Sequence, residues 1–546
     1  MNLVKIKLGI IVFSLWTISL KAQSNGFEII KNLELMDQVF EHLDLYFVDE
    51  TKPATLAKTG IDAMLKELDP YTVFIHESNI EDYRLMTTGE YGGIGALIRK
   101  VDDFVYITDI YEGKPAEKAG LKAGDKILSI DDKEMKNLSS TDVSKSLKGP
   151  KGSIVAIRVE RLKEGELEFQ VERDEIKLDD VPYYGMIDHQ TGYLKLNSFT
   201  PTASEQVLKG INVLKSQGMT QLVFDLRGNG GGLLMEAVKI VNFFIPKNQI
   251  VVTTKGRMKE QNQEFKTLAD PIEPTMPLAI LIDDNSASAS EIVAGSLQDL
   301  DRALIVGQTS FGKGLVQRTY DLNYGSKIKV TIAKYYTPSG RCVQRLEYYD
   351  KELGVMPKEV PDSLLQKYTT KNGREVIDGR GIEPDIHIDL KELSMLSLQI
   401  IDKNLIFYYA NNFQSTHDAI DSARTFRLND QEYMKFKKYV LDQKIEYRTK
   451  PSELLKKLEE LMQEEDLTES MQSIIDLANE QLAPNLERDL ERYKEEIVDI
   501  LQNEIVSRYY YQNGRKEDSF KKDPVLGKAM EVLSDKKSYS KILKTP

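Results

Sequence analysis

Apolar residues recur at helical spacing from Asn32 to Leu68, at Leu35, Met36, Val39, Phe40 and Leu43, then at Ile61, Met64, Leu65 and Leu68. Intervals of three and four place such positions on one helix face, and a proline breaks a helix interior, so two amphipathic helices separated near Pro53 are predicted. From about residue 85 to 175 the pattern changes. β-Branched runs at Phe104–Ile110 and Ser153–Val159 enclose PAEKAGLKAGDKILSI (Pro115–Ile130), where Gly120 and Gly124 mark tight turns and Asp125 can accept from neighbouring amides. This predicts a module of strands and short helices. From about 180 to 390, strand-like runs (Tyr193–Phe199, Leu222–Leu226, Leu278–Ile282, Ala303–Val306) alternate with helix-length segments (Ser204–Gln217, Leu233–Phe244, Ser288–Leu300). That alternation is the mark of an α/β core. Beyond Leu390 the chain reads as helical and charged, with a heptad-like acidic stretch from Ser452 to Glu465, the pattern of a solvated helical domain.

With 546 residues the chain exceeds what one core organises, and about three or four domains are expected. Lys+Arg number 73 against Asp+Glu 86, a net charge of -13 with no dense basic patch, which argues against a nucleic-acid partner. Lys5 and Lys7, the apolar run Leu8–Leu20, and Ala22 before Gln23 fit a secretory signal peptide over residues 1–22. Export to a periplasmic or extracellular location follows as an expectation. Leu20 is larger than the residue usual three positions before a cut, so an uncleaved N-terminal anchor, with membrane association, is the alternative. The single cysteine, Cys342, rules out an internal disulfide.

Three local features could carry chemistry. NSASASE (Asn285–Glu291) directly follows the apolar run Leu278–Ile282. A hydroxyl at such a strand-to-helix turn lies beside unpaired helix-start amides, where developing negative charge is stabilised. The same residues also read as a capping box, with Ser288 and Glu291 in S-x-x-E and no catalytic meaning. Both readings stand on local sequence. QTSFGKGLVQ (Gln308–Gln317) sets Lys313 between two glycines beside Phe311. A lysine works as a base only when desolvated or near other positive charge, and a buried amine suits those flanks, although most lysines are exposed. Gln317, four residues on, falls on the same side of a helix or strand. Gly307–Lys313 also fits the phosphate-loop pattern, but Gly314 stands where that motif needs Ser or Thr. DLRGNGGGLL (Asp225–Leu234) supplies glycines that let a backbone N–H approach a reacting carbonyl, or forms an ordinary turn. The five histidines (His42, His76, His189, His387, His417) sit beside no serine motif, and no Cys/His cluster or H-E-x-x-H occurs, so neither a catalytic metal nor a cofactor is expected.

In this order the segments resemble the C-terminal processing peptidases, the tail-specific proteases of the S41 serine peptidase family. The resemblance runs from about residue 30 to 390 through KELDPYT, GEYGGIGALI, PAEKAGLKAGDKI, LKGPKGSIV, DLRGNGGGLL, SASASEI, VGQTSFGKGLVQ, YYTPSGR and GIEPD. Tyr71, Tyr91 and Cys342 depart from its usual histidine, phenylalanine and serine, and Arg345–Lys371 looks like an insertion. The resemblance implies an α/β (crotonase/ClpP-like) peptidase core at 176–390, an inserted PDZ domain at 85–175, an N-terminal helical segment at 23–84 and a C-terminal helical domain at 391–546. It further implies Ser288 as nucleophile, Lys313 as base and Gln317 as its partner. Oxyanion amides would come from Ala289 and, most directly, Gly231, with the register open by one because Gly230 replaces a frequent proline. Gly92, Gly93, Ile94 and Gly95 match the loop that holds a peptide's terminal carboxylate. The implied partners are proteins or peptides with free C-termini. A catalytically inert PDZ-containing binding protein of the same fold is the alternative. Whether the helical regions receive an adaptor or a second copy, or pack within the monomer, amphipathicity leaves open.

Overall fold

The computed structural model describes residues 26–348, 358–465 and 468–544, so the expected signal peptide and the middle of the expected insertion lie outside the described residues. The chain divides into two units. The smaller comprises residues 26–77, 317–331 and 348. Its first helix spans residues 26–46, and its second, Pro53–Lys66, begins on the proline that separates them, because the first turn needs no N–H from that position. The LDPYT motif is a turn around Asp69, whose Oδ1 accepts from the N–H groups of Tyr71 (2.8 Å) and Thr72 (2.7 Å). Val73–Ile75 then pairs antiparallel with Lys327–Lys329.

The larger unit holds the rest, including a helix at Ile80–Thr88 that the periodicity did not single out. The strand-rich module is an antiparallel sheet ordered Ala96–Val101, Phe104–Ile110, Lys126–Ile130, Ile154–Arg161, Gly165–Glu172. Alternate side chains (Val105, Ile107, Ile127, Val155, Ile157, Val159) are fully buried in its core, as a two-residue period requires. Asp125, also fully buried, is matched by the fork of Arg161 at 2.7 and 2.8 Å and accepts from Lys122 N–H.

The α/β core is a six-stranded sheet ordered Tyr183–Met186, Thr191–Lys195, Gln221–Asp225, Leu278–Ile282, Leu304–Gly307, Ile386–His387, parallel after the first pair. Helices Ala203–Ser216, Leu234–Asn242 and Ala289–Asp299 cover one face, where Leu222, Phe224, Leu278, Ile280 and Ile282 point. The intervening residues Val223, Ala279, Leu281, Leu304 and Val306 point to the other face, which the C-terminal helix Pro524–Ser534 covers with Val525, Leu526, Ala529, Val532 and Leu533. Burial on both faces explains the unbroken apolar run LAILI. The C-terminal region is a helical domain whose acidic stretch, in helix Lys450–Glu464, is mostly exposed; it also has a core of its own around Leu405, Tyr433, Phe436, Leu501 and Ile505, and its final helices complete the α/β core. Among the described residues no helix is long and apolar enough to cross a membrane.

The YYTPSGR segment is tied to helix Ala289–Asp299 by a buried ion pair. Arg341 Nη2 donates to Asp299 Oδ1 at 2.9 Å and Gln298 Oε1 at 2.7 Å, with arginine and aspartate both essentially inaccessible. Asp299→Ala leaves that guanidinium buried and uncompensated, and thermal or urea denaturation is expected to show a loss of about 3–5 kcal/mol.

Candidate active site

Ser288, Lys313 and the glycine loop lie at the carboxyl ends of the central parallel strands, where α/β sheets present their crevices. Strand Leu278–Ile282 leads into a tight turn and then helix Ala289–Asp299, and Ser288 occupies the junction with φ 57° and ψ −110°. Such a backbone is costly for a residue with a Cβ, and its presence shows the turn is over-determined by its surroundings. The neighbouring serines explain part of this. Ser286 and Ser290 are fully buried, their hydroxyls donating to Leu226 O and Asn229 O at 2.9 Å each. Ser288 between them remains half-exposed. The first amide of the helix, that of Ala289, is buried beside it.

Glu291 lies one turn into this helix and is inaccessible. Its Oε2 accepts from the backbone N–H of Ser288 at 2.8 Å and of Lys313 at 2.9 Å. Its Oε1 accepts from the Ser310 hydroxyl at 2.6 Å and Gly312 N–H at 2.8 Å. The sequence left capping and catalysis as competing readings of S-x-x-E, and the structure carries the capping contact from Glu291 to Ser288 N–H while extending it to the lysine loop. Burial pushes the Glu291 carboxyl above its ordinary range, against the lowering effect of these four donors. A single carboxylate oxygen thus holds the backbones of Ser288 and Lys313 together, and Phe311 N–H adds a bond to Ser286 O at 3.0 Å. The Tyr335 hydroxyl, whose phenol burial keeps strongly protonated, donates to Ser288 O at 3.1 Å.

The glycine loop 226–232 packs under the turn that carries Ser288. Asn229, fully buried, accepts on its carbonyl from Ala287 N–H (3.0 Å) and donates its side-chain amide to Leu196 O (2.9 Å). Gly231 has φ 98°, and a Cβ there would stand 2.7 Å from Ala287 O and 2.8 Å from Ser288 Cβ, so only glycine fits. Its N–H donates to Asn229 Oδ1 at 2.9 Å, so a role toward an oxyanion requires that bond to be exchanged. Gln317 belongs to the smaller unit, where its side-chain amide donates to Thr331 Oγ1 at 3.4 Å. The histidines stand elsewhere; His417 stacks on Phe413 and His387 pairs with Asp389 in solvent.

In the strand-rich module Gly92 and Gly93 end a strand, Glu90–Gly93, paired with Asp174–Lys177. The carbonyl of Ile94 accepts from Ala116 N–H at 2.8 Å and that of Gly95 from Tyr111 N–H at 3.1 Å. The chain then enters Ala96–Val101, an edge strand of the sheet. Beside it, Ile94, Ala96, Ile98, Ser144 and Leu147 line a cavity of about 260 Å³ between that strand and helix Ser140–Leu147.

An α/β core with a half-exposed serine at its strand-to-helix turn, joined to an edge-strand peptide module, defines a serine-type peptidase with a PDZ domain. The model of peptidase family S41 matches residues 190–360, that of a PDZ domain residues 106–161, and one described as "Probable PDZ-protease, C-terminal helical domain" residues 396–533. The carboxyl-terminal-processing protease of Picosynechococcus sp. is 34% identical over 340 residues, 60% of this chain and 79% of that protein. The carboxy-terminal-processing protease of Bartonella bacilliformis is 33% identical over 344 residues, covering 62% and 77%. Among solved structures, a photosystem II D1 C-terminal processing protease is 27% identical, covering 64% of this chain and 86% of its own, with a TM-score of 0.36. The chain belongs to the carboxyl-terminal processing proteases of peptidase family S41.

Proposed function

We propose that this serine peptidase is an exported endopeptidase in which Ser288 is the nucleophile and Lys313 its base, acting on proteins selected by their C-terminal tails. The observation that carries the reading is the shared oxygen of Glu291, which bonds the amides of both residues. A neutral Lys313 amine takes the proton of Ser288 as its oxygen bonds the scissile carbonyl carbon. The amine's proton passes to the departing nitrogen, and water repeats the sequence on the acyl-enzyme. The oxyanion would meet the Ala289 amide at the helix start and the amide of Gly231 or its neighbour Gly230. Gln317 is assigned to orient the amine on its sequence spacing. Gly92–Gly95 would hold the tail's carboxylate while the tail adds to the edge strand Ala96–Val101, its last side chain entering the apolar cavity. Residues 1–22 support export to the periplasm or the extracellular space.

The test is mass-spectrometric mapping of products from an unfolded protein with a free apolar C-terminus and from the same protein with that terminus amidated. Truncation of the free form, with kcat/KM at least about tenfold lower for the amide, is the expected result, since an amidated end cannot satisfy the carboxylate loop. Equal cleavage of both forms would refute tail selection. Binding of the free tail by the wild type with no truncation would favour the inert binding reading.

A further inference from the structure

We infer that the C-terminal helical domain positions the catalytic glycine loop, through a clamp in which Asp523 grips Arg227. Arg227 Nη1 and Nη2 donate to the two carboxylate oxygens of Asp523 at 3.1 and 2.6 Å, a fork-to-fork pair that fixes both distance and plane. Asp523 is itself anchored as the N-cap of helix Pro524–Ser534, accepting from the N–H groups of Val525 and Leu526 at 3.0 Å each. On its other side Arg227 is bound to Asp225, with Nε at 3.1 Å and Nη2 at 2.7 Å. Asp225 ends a central strand and is fully buried; it accepts from the Tyr193 hydroxyl and stands 3.4 Å from Lys195 Nζ and 3.5 Å from Lys516 Nζ. Burial alone would raise this carboxyl, yet Lys195, Arg227 and Lys516 outweigh it and hold it well below the ordinary range. Lys195 also donates to the carbonyl of Arg227.

Two acids (Asp225, Asp523) and two bases (Lys195, Lys516), from two strands and the C-terminal helices, therefore close around Arg227. That residue is two positions before Asn229, whose backbone and side chain seat Ala287, Ser290 and Gly231. The clamp acts through the loop, which it fixes against the turn of Ser288. A loop displaced by about 1 Å costs on the order of a hundredfold in rate without weakening ground-state binding.

The inference rests on Ser288 as nucleophile, and Ser288→Ala identifies failure of that reading separately, since it should silence cleavage whatever the clamp does. In the mature full-length protein, Asp523→Asn keeps a good helix cap but replaces the charged fork with an amide. Expected for this variant is a kcat lower by ten- to a hundredfold on the free-tailed substrate, with KM and tail affinity within twofold of wild type. Asn429→Ala, which removes the cap of helix Asp430–Asp442 in the same domain, controls for loss of stability alone and should keep its kcat. If Asp523→Asn does not fold, Lys516→Met removes a cation from Asp225 without touching the cap, and the same split is expected. The clamp is overturned if the folded variant keeps kcat within twofold, if kcat and KM change together, or if Asn429→Ala loses as much kcat.

Discussion

Lys313→Met and Ser288→Ala are each expected to lose about three to six orders of magnitude in kcat while remaining folded and still binding substrate tails. Methionine keeps the unbranched shape of the lysine stem and removes the amine, so the loss measures chiefly proton transfer. Combining the two substitutions should cost no more than either alone, because nucleophile and base act on one bond and cannot be removed twice. The choice of serine is physical. Ser286 and Ser290 have hydroxyls bonded to carbonyls of the glycine loop inside the protein. Their alanine variants should lower the melting temperature, by about 1 kcal/mol in stability each, and retain measurable turnover. Single-turnover cleavage with product mass spectrometry reads all five variants. Residual cleavage by Ser288→Ala at a rate near wild type, or an additive double variant, would sink the dyad.

The class of fold was open to inspection because its elements are long and strongly patterned. The apolar strand Leu278–Ile282 has the predicted bounds, and helices Ala203–Ser216, Leu234–Asn242 and Ala289–Asp299 begin and end within one or two residues of expectation. Motif order carried the family and singled out Ser288 as the candidate nucleophile. Three things were hidden, each for a tertiary reason. Glu291 looked like half of a cap because its contacts to Ser310, Gly312 and Lys313 close over about twenty intervening residues. Asp523 and Arg227 are nearly three hundred residues apart, and no local pattern pairs them. The charge of the C-terminal region hid its part in the α/β core, because one apolar stripe on its penultimate helix is enough to cover a sheet face. The Gly231 amide, bonded to Asn229 Oδ1, shows the opposite limit: motif matching named the residue, but only coordinates show where its N–H points.

Glu291→Gln is expected to lower kcat by on the order of a hundredfold or more, the second large effect, through geometry and not through any contact with substrate. All four donors at Glu291 require acceptors, and glutamine offers one oxygen and one NH2. If the oxygen faces Ser310 and Gly312, the amides of Ser288 and Lys313 meet two further donors and must separate; if it turns the other way, the lysine loop loses its second anchor. Each buried donor left unpaired costs about 1–3 kcal/mol, so some stability is lost as well. A pH profile separates the two consequences. Protonation turns one carboxylate oxygen into a donor and reproduces the defect, and burial raises this carboxyl. Turnover should therefore fall on acidification from somewhat above the ordinary glutamate range. The stability linked to the same group runs the other way: a raised folded pKa makes its contribution greatest below the unfolded value and erodes it as pH rises through the folded one. Activity lost toward acid while the Glu291 contribution to stability grows cannot be unfolding caused by this group. The measurement is kcat against pH beside the melting temperature, for wild type and Glu291→Gln. Protonation of the Lys313 amine gives both proteins an acid limb, so the test is a further fall present in the wild type alone; its absence there, or a variant kcat within a few fold of wild type, would remove Glu291 from the positioning of Ser288 and Lys313.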